Sequence, residues 1–193
     1  IKVNGTTLTL PQVAGILDAN NYLRSLNHAV NAIACLNGPP LTERRYLVDF
    51  AARAESIGHP GLAAGLQGLL GGPAVDLDRL RGWLSEWHAA YTALPADSTP
   101  VSLHPCRLLY YQRGIAALLE SEHPLHCLWP LWNTWTRLIA ALPADSPHRH
   151  AWQTAGETLG LLGEALPRRI AALDSYLDQI EEILEEWARA NGA

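Results

Sequence analysis

Methionine is absent from this 193-residue chain, phenylalanine occurs once, and Lys2 is the only lysine. Apolar runs are short: none approaches the ~18 residues that a bilayer-spanning helix needs, so no membrane span is expected. Cysteine is sparse too. Cys35, Cys106 and Cys127 are an odd, widely spaced set, which excludes a disulfide framework and points to a reducing, cytoplasmic compartment. Positive charge is never clustered, and the net charge is −5. Nucleic acid is therefore not an expected partner, because phosphate contacts need grouped Lys and Arg. The chain opens Ile1-Lys2-Val3 without an initiating methionine, so a piece of a longer protein is expected.

Hydrophobic residues make up 48% of the chain and charged residues 17%, which suits a folded core rather than a disordered chain. The length favours one domain. Arginine, alanine, leucine, glycine and proline dominate, a usage resembling that of a GC-rich bacterial genome.

Residues 1 to 12 are the only strand-like text. β-Branched residues flank an Asn4-Gly5 turn signal, and the stretch reads as an extended arm or linker, with a short hairpin as the alternative. Residues 13 to 193 read as one helical domain. Leu17, Leu23, Leu26, Val30 and Ile33 recur at helical spacing up to Asn37-Gly38-Pro39-Pro40. A second helix starts at Thr42 and buries Leu47, Phe50 and Ala54; a third runs from Pro60 to Leu70, with Gly61, Gly65 and Gly68 open to a neighbouring helix. Asp76 caps a fourth, with a stripe of Leu77, Leu80, Trp83, Leu84, Trp87 and Tyr91. A fifth begins near Pro105 and carries Leu108, Leu109 and Ile115, and a sixth holds Leu128, Leu131, Leu138 and Ile139 with its tryptophans. Ser146-Pro147 opens a seventh and Pro167 an eighth. The expected fold is all-α: about eight helices in an antiparallel bundle or helical-hairpin array, behind a short extended N-terminal arm. One echo stands out. Trp87 to Ser98 and Trp135 to Ser146 both read W-x5-A-L-P-A-D-S, either a helical-hairpin repeat or a stop-and-restart peptide used twice.

Candidate chemistry is thin. His104, Cys106, His123, His126, Cys127, His148 and His150 fall at helix starts and turns, but their spacing matches no zinc motif. A G-x-S-x-G elbow, a phosphate-binding glycine loop and H-E-x-x-H are all missing. No catalytic, cofactor-binding or metal-binding residue is assigned. Asp174, Asp178, Glu181, Glu182, Glu185 and Glu186 lie at the spacing of a solvated helix face, with an acidic docking surface as the alternative. The seven tryptophans are the distinctive feature. Trp129, Trp132 and Trp135 share a face at i, i+3, i+6; core packing and an interface both fit. Interface candidates are Trp129 and Trp132 beside Pro130, and the stripe Ile180, Ile183, Leu184 and Trp187 of the last helix. A homodimer through these residues is expected.

The run Cys127-Leu128-Trp129-Pro130-Leu131-Trp132-Asn133-Thr134-Trp135, followed by Leu142-Pro143 and an expected Leu-rich helix from Thr158 to Leu166, resembles the C-terminal region of the ImpA/VasL-like proteins of bacterial type VI secretion. Gly61-Leu62-Ala63-Ala64-Gly65-Leu66 resembles a helix of their N-terminal region. The likeness covers mainly residues 103 to 187, and its motif is a Trp- and Leu-rich helical pattern. Within that group, the middle domain of TssA-type proteins is a helical module of about this size. The resemblance implies a scaffold that helps prime and cap a contractile tail, touching baseplate, tube–sheath or membrane-complex components. It carries over no catalytic residue. Two other classes stay open: a generic helical protein- or peptide-binding module, and a metal-dependent helical enzyme using the His/Cys loops.

Overall fold

The helix Leu128–Ala141 buries ten of its fourteen residues, and the rest of the chain is arranged around it. A helix apolar on all sides has to be a central one, and this sequence, Leu128-Trp129-Pro130-Leu131-Trp132, is apolar without interruption through its first turn. Pro130 sits where helical N–H groups have no intrahelical partner, so it does not break the turn.

The structure, a computed structural model, describes residues 2–3, 6–7, 10–95 and 100–192. Among these are eight α-helices: α1 (Leu10–Ala34), α2 (Tyr46–Ser56), α3 (Gly61–Leu69), α4 (Leu77–Thr92), α5 (Leu108–Leu119), α6 (Leu128–Ala141), α7 (His148–Leu159) and α8 (Leu166–Asn191). The fold is all-α. α6 touches α1, α2, α4, α5 and α7, while α8 lies across α1 and α3. One hydrophobic cluster runs from Ile16 to Ile183. Among the described residues no helix is long and apolar enough to cross a membrane.

Ahead of α1, Lys2–Val3 (β1) pairs antiparallel with Thr6–Thr7 (β2), Lys2 opposite Thr7 and Val3 opposite Thr6. The Asn4-Gly5 turn signal lies outside the described residues. The arm is shorter than expected, because α1 starts at Leu10 and takes Pro11 into its first turn, where proline costs no hydrogen bond. Leu17 departs from the expected stripe: it is 54% exposed, one position past the face formed by Ile16, Leu23, Leu26, Val30 and Ile33.

Capping follows expectation unevenly. Asp76 accepts a hydrogen bond from the Arg79 N–H at 2.8 Å and starts α4. Thr42 instead precedes a 3-10 turn, Glu43–Arg45, and makes no side-chain cap bond. A similar turn, Pro105–Arg107, stands before α5. α7 begins at His148 without a side-chain cap, Pro147 already holding helical backbone angles, and it ends at Leu159: left-handed Gly160 and the 3-10 turn Gly163–Ala165 break the helix expected from Thr158 to Leu166.

Close packing selects particular glycines. A Cβ on Gly65 would stand 3.0 Å from the Tyr176 ring, so this glycine seats α8 on α3, whereas Gly61 and Gly68 face open space. A Cβ on Gly156 would stand 2.7 Å from the Trp132 ring and closer still to Leu162, so α7 approaches α6 only because that carbon is missing. The two echoed stops are alike as far as they are described. Trp87 and Trp135 are fully buried, Leu94 and Leu142 are buried, and α4 and α6 end at Thr92 and Ala141. Ala96-Asp97-Ser98 of the first copy lies outside the described residues.

Candidate protein-contact surface

The expected interface residues divide. Trp129 and Trp132 are 3% and 2% exposed, so they are core residues and not surface anchors. Trp129 stacks on Tyr46 with ring centroids 3.9 Å apart, and Trp132 stacks on Trp152 at 5.5 Å. The reason is the position of α6: its tryptophan face looks into the molecule, and the side left partly open carries Asn133, Arg137 and Ala140. Ile180 and Ile183 are buried as well, on the inner side of α8. Of the six candidates only Leu184 and Trp187 keep part of their surface, both half-buried. The carboxylates from Asp174 to Glu186 are exposed along α8.

Among the described residues the His and Cys side chains gather in pairs at most. His104 Nδ1 lies 3.1 Å from Cys106 Sγ at an exposed turn, and His123 and His126 approach ring to ring at 5.1 Å. Cys127 is buried, and burial pushes its thiol up to about 12. Burial, with a smaller contribution from His123, lowers the pKa of His126. Among the described residues no three His, Cys, Asp or Glu side chains gather as a metal site would require.

Exposed apolar bulk concentrates elsewhere. Val101, Leu109 and Tyr110 are 83%, 58% and 49% exposed, within ten residues of one another. Tyr110 is held in place: the Arg44 guanidinium lies 4.7 Å from its ring centroid, and the Tyr111 ring meets it edge to face at 5.3 Å. Tyr111 ties down the turn that carries Val101. Its hydroxyl is 3.0 Å from Glu43 Oε2, to which it donates, with the Ser102 carbonyl 3.3 Å away as a second acceptor. Burial, then the Glu43 charge, raises the Tyr111 pKa.

Glu43 continues inward. Its Oε1 accepts from Asn133 Nδ2 at 2.6 Å and from Arg137 Nη1 at 2.8 Å, joining the turn before α2 to α5 and α6. On that side a cleft of about 460 Å³ opens between α1 and α6. Asn20, Arg24 and Asn27 form one wall, Asn133 and Arg137 the other, with Tyr46 and Trp129 beneath. Adjacent residues thus serve adjacent surfaces: Glu43 lines the cleft and Arg44 covers Tyr110.

Neither surface was singled out from the sequence. The sequence places Leu109 among the apolar residues of the fifth helix and gives Val101 no signal. The cleft has one: Asn133 and Arg137 are an i, i+4 polar pair on a mostly apolar helix, facing an Asn20, Arg24, Asn27 stripe at i, i+4, i+7 on α1. No family model matches the chain, and no curated protein or solved structure matches it either.

Proposed function

We propose that this chain is a non-catalytic scaffold domain of a cytoplasmic TssA-like type VI secretion protein, which contacts other proteins during contractile tail assembly. The observation that carries the protein-contact reading is the exposure of Val101, Leu109 and Tyr110 within ten residues of one another, with Tyr110 held in place by Arg44 and Tyr111. An exposed tyrosine ordered by a guanidinium is the kind of anchor that dominates binding energy at interfaces. Ordering it beforehand reduces the side-chain entropy lost on binding. The finer assignment, to type VI secretion, rests on the Trp- and Leu-rich pattern from Cys127 to Trp135, with Leu142-Pro143 and the Leu-rich stretch from Thr158 to Leu166 after it. Baseplate, tube–sheath and membrane-complex components are its expected partners, and the chain itself associates as a homodimer through Leu184 and Trp187.

Purified chain, immobilised and presented in turn with type VI baseplate, tube–sheath and membrane-complex proteins, tests the assignment. Binding to at least one of them is expected, weakened tenfold or more by Leu109→Asp with helicity unchanged. Binding to none of them removes the secretion assignment. Binding that ignores the substitution removes the patch.

A further inference from the structure

We infer that the cleft between α1 and α6 binds an extended acidic segment of a partner protein. This rests on the protein-contact reading, but on different residues from the patch that carries it. The α1 wall presents Asn20, Arg24 and Asn27 at i, i+4 and i+7, all on one helix face. Seven residues of helix rise about 10.5 Å, the length of roughly three residues of extended chain. The opposite wall presents Asn133 and Arg137, one helical turn apart.

Hydrogen-bonding capacity on these walls is left over after folding. Among the described residues no hydrogen bond engages the Asn20 or Asn21 carboxamides. Asn27 Oδ1 accepts from Asn31 Nδ2 at 3.0 Å, which leaves the Asn27 amide hydrogens for a ligand. Asn133 gives its Nδ2 to Glu43, which leaves its Oδ1 to accept. A carboxamide offers a donor and an acceptor side by side, the complement of the N–H and C=O that an extended peptide presents. Donors and acceptors on two facing walls suit a strand-like segment lying between them.

Charge selects the segment. Two guanidinium groups, Arg24 and Arg137, and one carboxylate, Glu43, line the cleft, so it is positive on a chain whose net charge is −5. Glu43 pairs with Arg137 at 2.8 Å. Arg24 is exposed, and among the described residues its one hydrogen bond runs from Nε to His28 Nε2 at 3.4 Å, which leaves its two terminal amino groups for bidentate capture of a carboxylate. A saccharide fits less well. Sugars dock on an open aromatic face, and Tyr46 and Trp129, 1% and 3% exposed, stack on each other.

A phage-displayed library of random heptapeptides, panned against the 193-residue chain, tests the inference. Peptides rich in Asp and Glu should be enriched. A synthetic copy of the strongest should lose tenfold or more in affinity on Arg24→Glu, and severalfold on Asn20→Ala with Asn27→Ala. It should bind Leu109→Asp as well as the unaltered chain, and circular dichroism should report the same helicity for all variants. Lack of acidic enrichment, or acidic peptides indifferent to Arg24→Glu, overturns the inference. Displacement of the peptide by millimolar inorganic phosphate alone also overturns it, in favour of a small-anion site. Loss of affinity on Leu109→Asp and not on Arg24→Glu would refute the cleft and leave the protein-contact reading standing.

Discussion

The indole N–H of Trp87 donates to the hydroxyl oxygen of Thr134 at 2.8 Å, linking α4 to α6 inside the core. Both side chains are fully buried. Thr134 gives its own proton to the Pro130 carbonyl one turn back, so one hydroxyl satisfies two groups that water cannot reach. Thr134→Val keeps the shape and removes the acceptor. The Trp87 N–H is then stranded, at a cost of about 1–3 kcal/mol. Urea denaturation should report that loss with an unchanged slope. A loss below about 0.5 kcal/mol would mean that the bond contributes little net stability.

Thiol accessibility checks the core independently. Cys35 and Cys106 are exposed, while Cys127 is buried and its thiol is pushed up to about 12, so it holds almost no thiolate at neutral pH. Folded protein should react with Ellman's reagent at Cys35 and Cys106 within minutes and at Cys127 only on unfolding. Prompt reaction of all three would contradict the placement of the turn that leads into α6.

Acidification should destabilise the fold through His126. Its pKa is lowered in the folded protein, by burial first and by His123 second, so the unfolded chain binds more protons between the folded and unfolded values. Stability contributed by the neutral ring is present above the unfolded value near 6.5 and is lost as pH falls through the lowered folded value. Denaturation at pH 7.5 and pH 5.5 should show the weaker fold at the lower pH, and His126→Gln should shrink the difference. An unchanged difference would assign the pH dependence to other groups.

Fold class was legible because start and stop signals agree along the chain: the Asn37-Gly38-Pro39-Pro40 stop after α1, the Asp76 cap, and Pro167 in the first turn of α8. Helix boundaries were legible to within a few residues, the errors falling where a 3-10 turn precedes the helix, as at Thr42 and Pro105. The surface was not legible. Periodicity reports which residues share a face, but not whether that face meets solvent or another helix. Trp129 and Trp132 looked like anchors and are core because α2 and α7 cover that side of α6, with Tyr46 stacked on Trp129 and Trp152 on Trp132. Leu109 looked like core and is exposed, because α5 turns that side away from the other helices. Glu43 could not be read as a clamp, since its partners Tyr111, Asn133 and Arg137 lie 68 to 94 residues away in sequence.

Trp187 separates association from folding. It is half-buried near the end of α8, beside the half-buried Leu184. Trp187→Ala should weaken the proposed homodimer tenfold or more and leave helicity nearly intact, as light scattering and circular dichroism would show together. A unaltered chain that is monomeric at every accessible concentration would refute the dimer, and a large loss of helicity in the variant would place Trp187 in the core.

Photo-crosslinking from position 109 tests the central claim most directly. With p-benzoylphenylalanine in place of Leu109 in cells, irradiation should give discrete adducts with type VI baseplate, tube–sheath or membrane-complex proteins. The same amino acid in place of Ile170, 45% exposed and outside the patch, should give none. No adduct from position 109, or the same products from both positions, would contradict a scaffold that works through Val101, Leu109 and Tyr110.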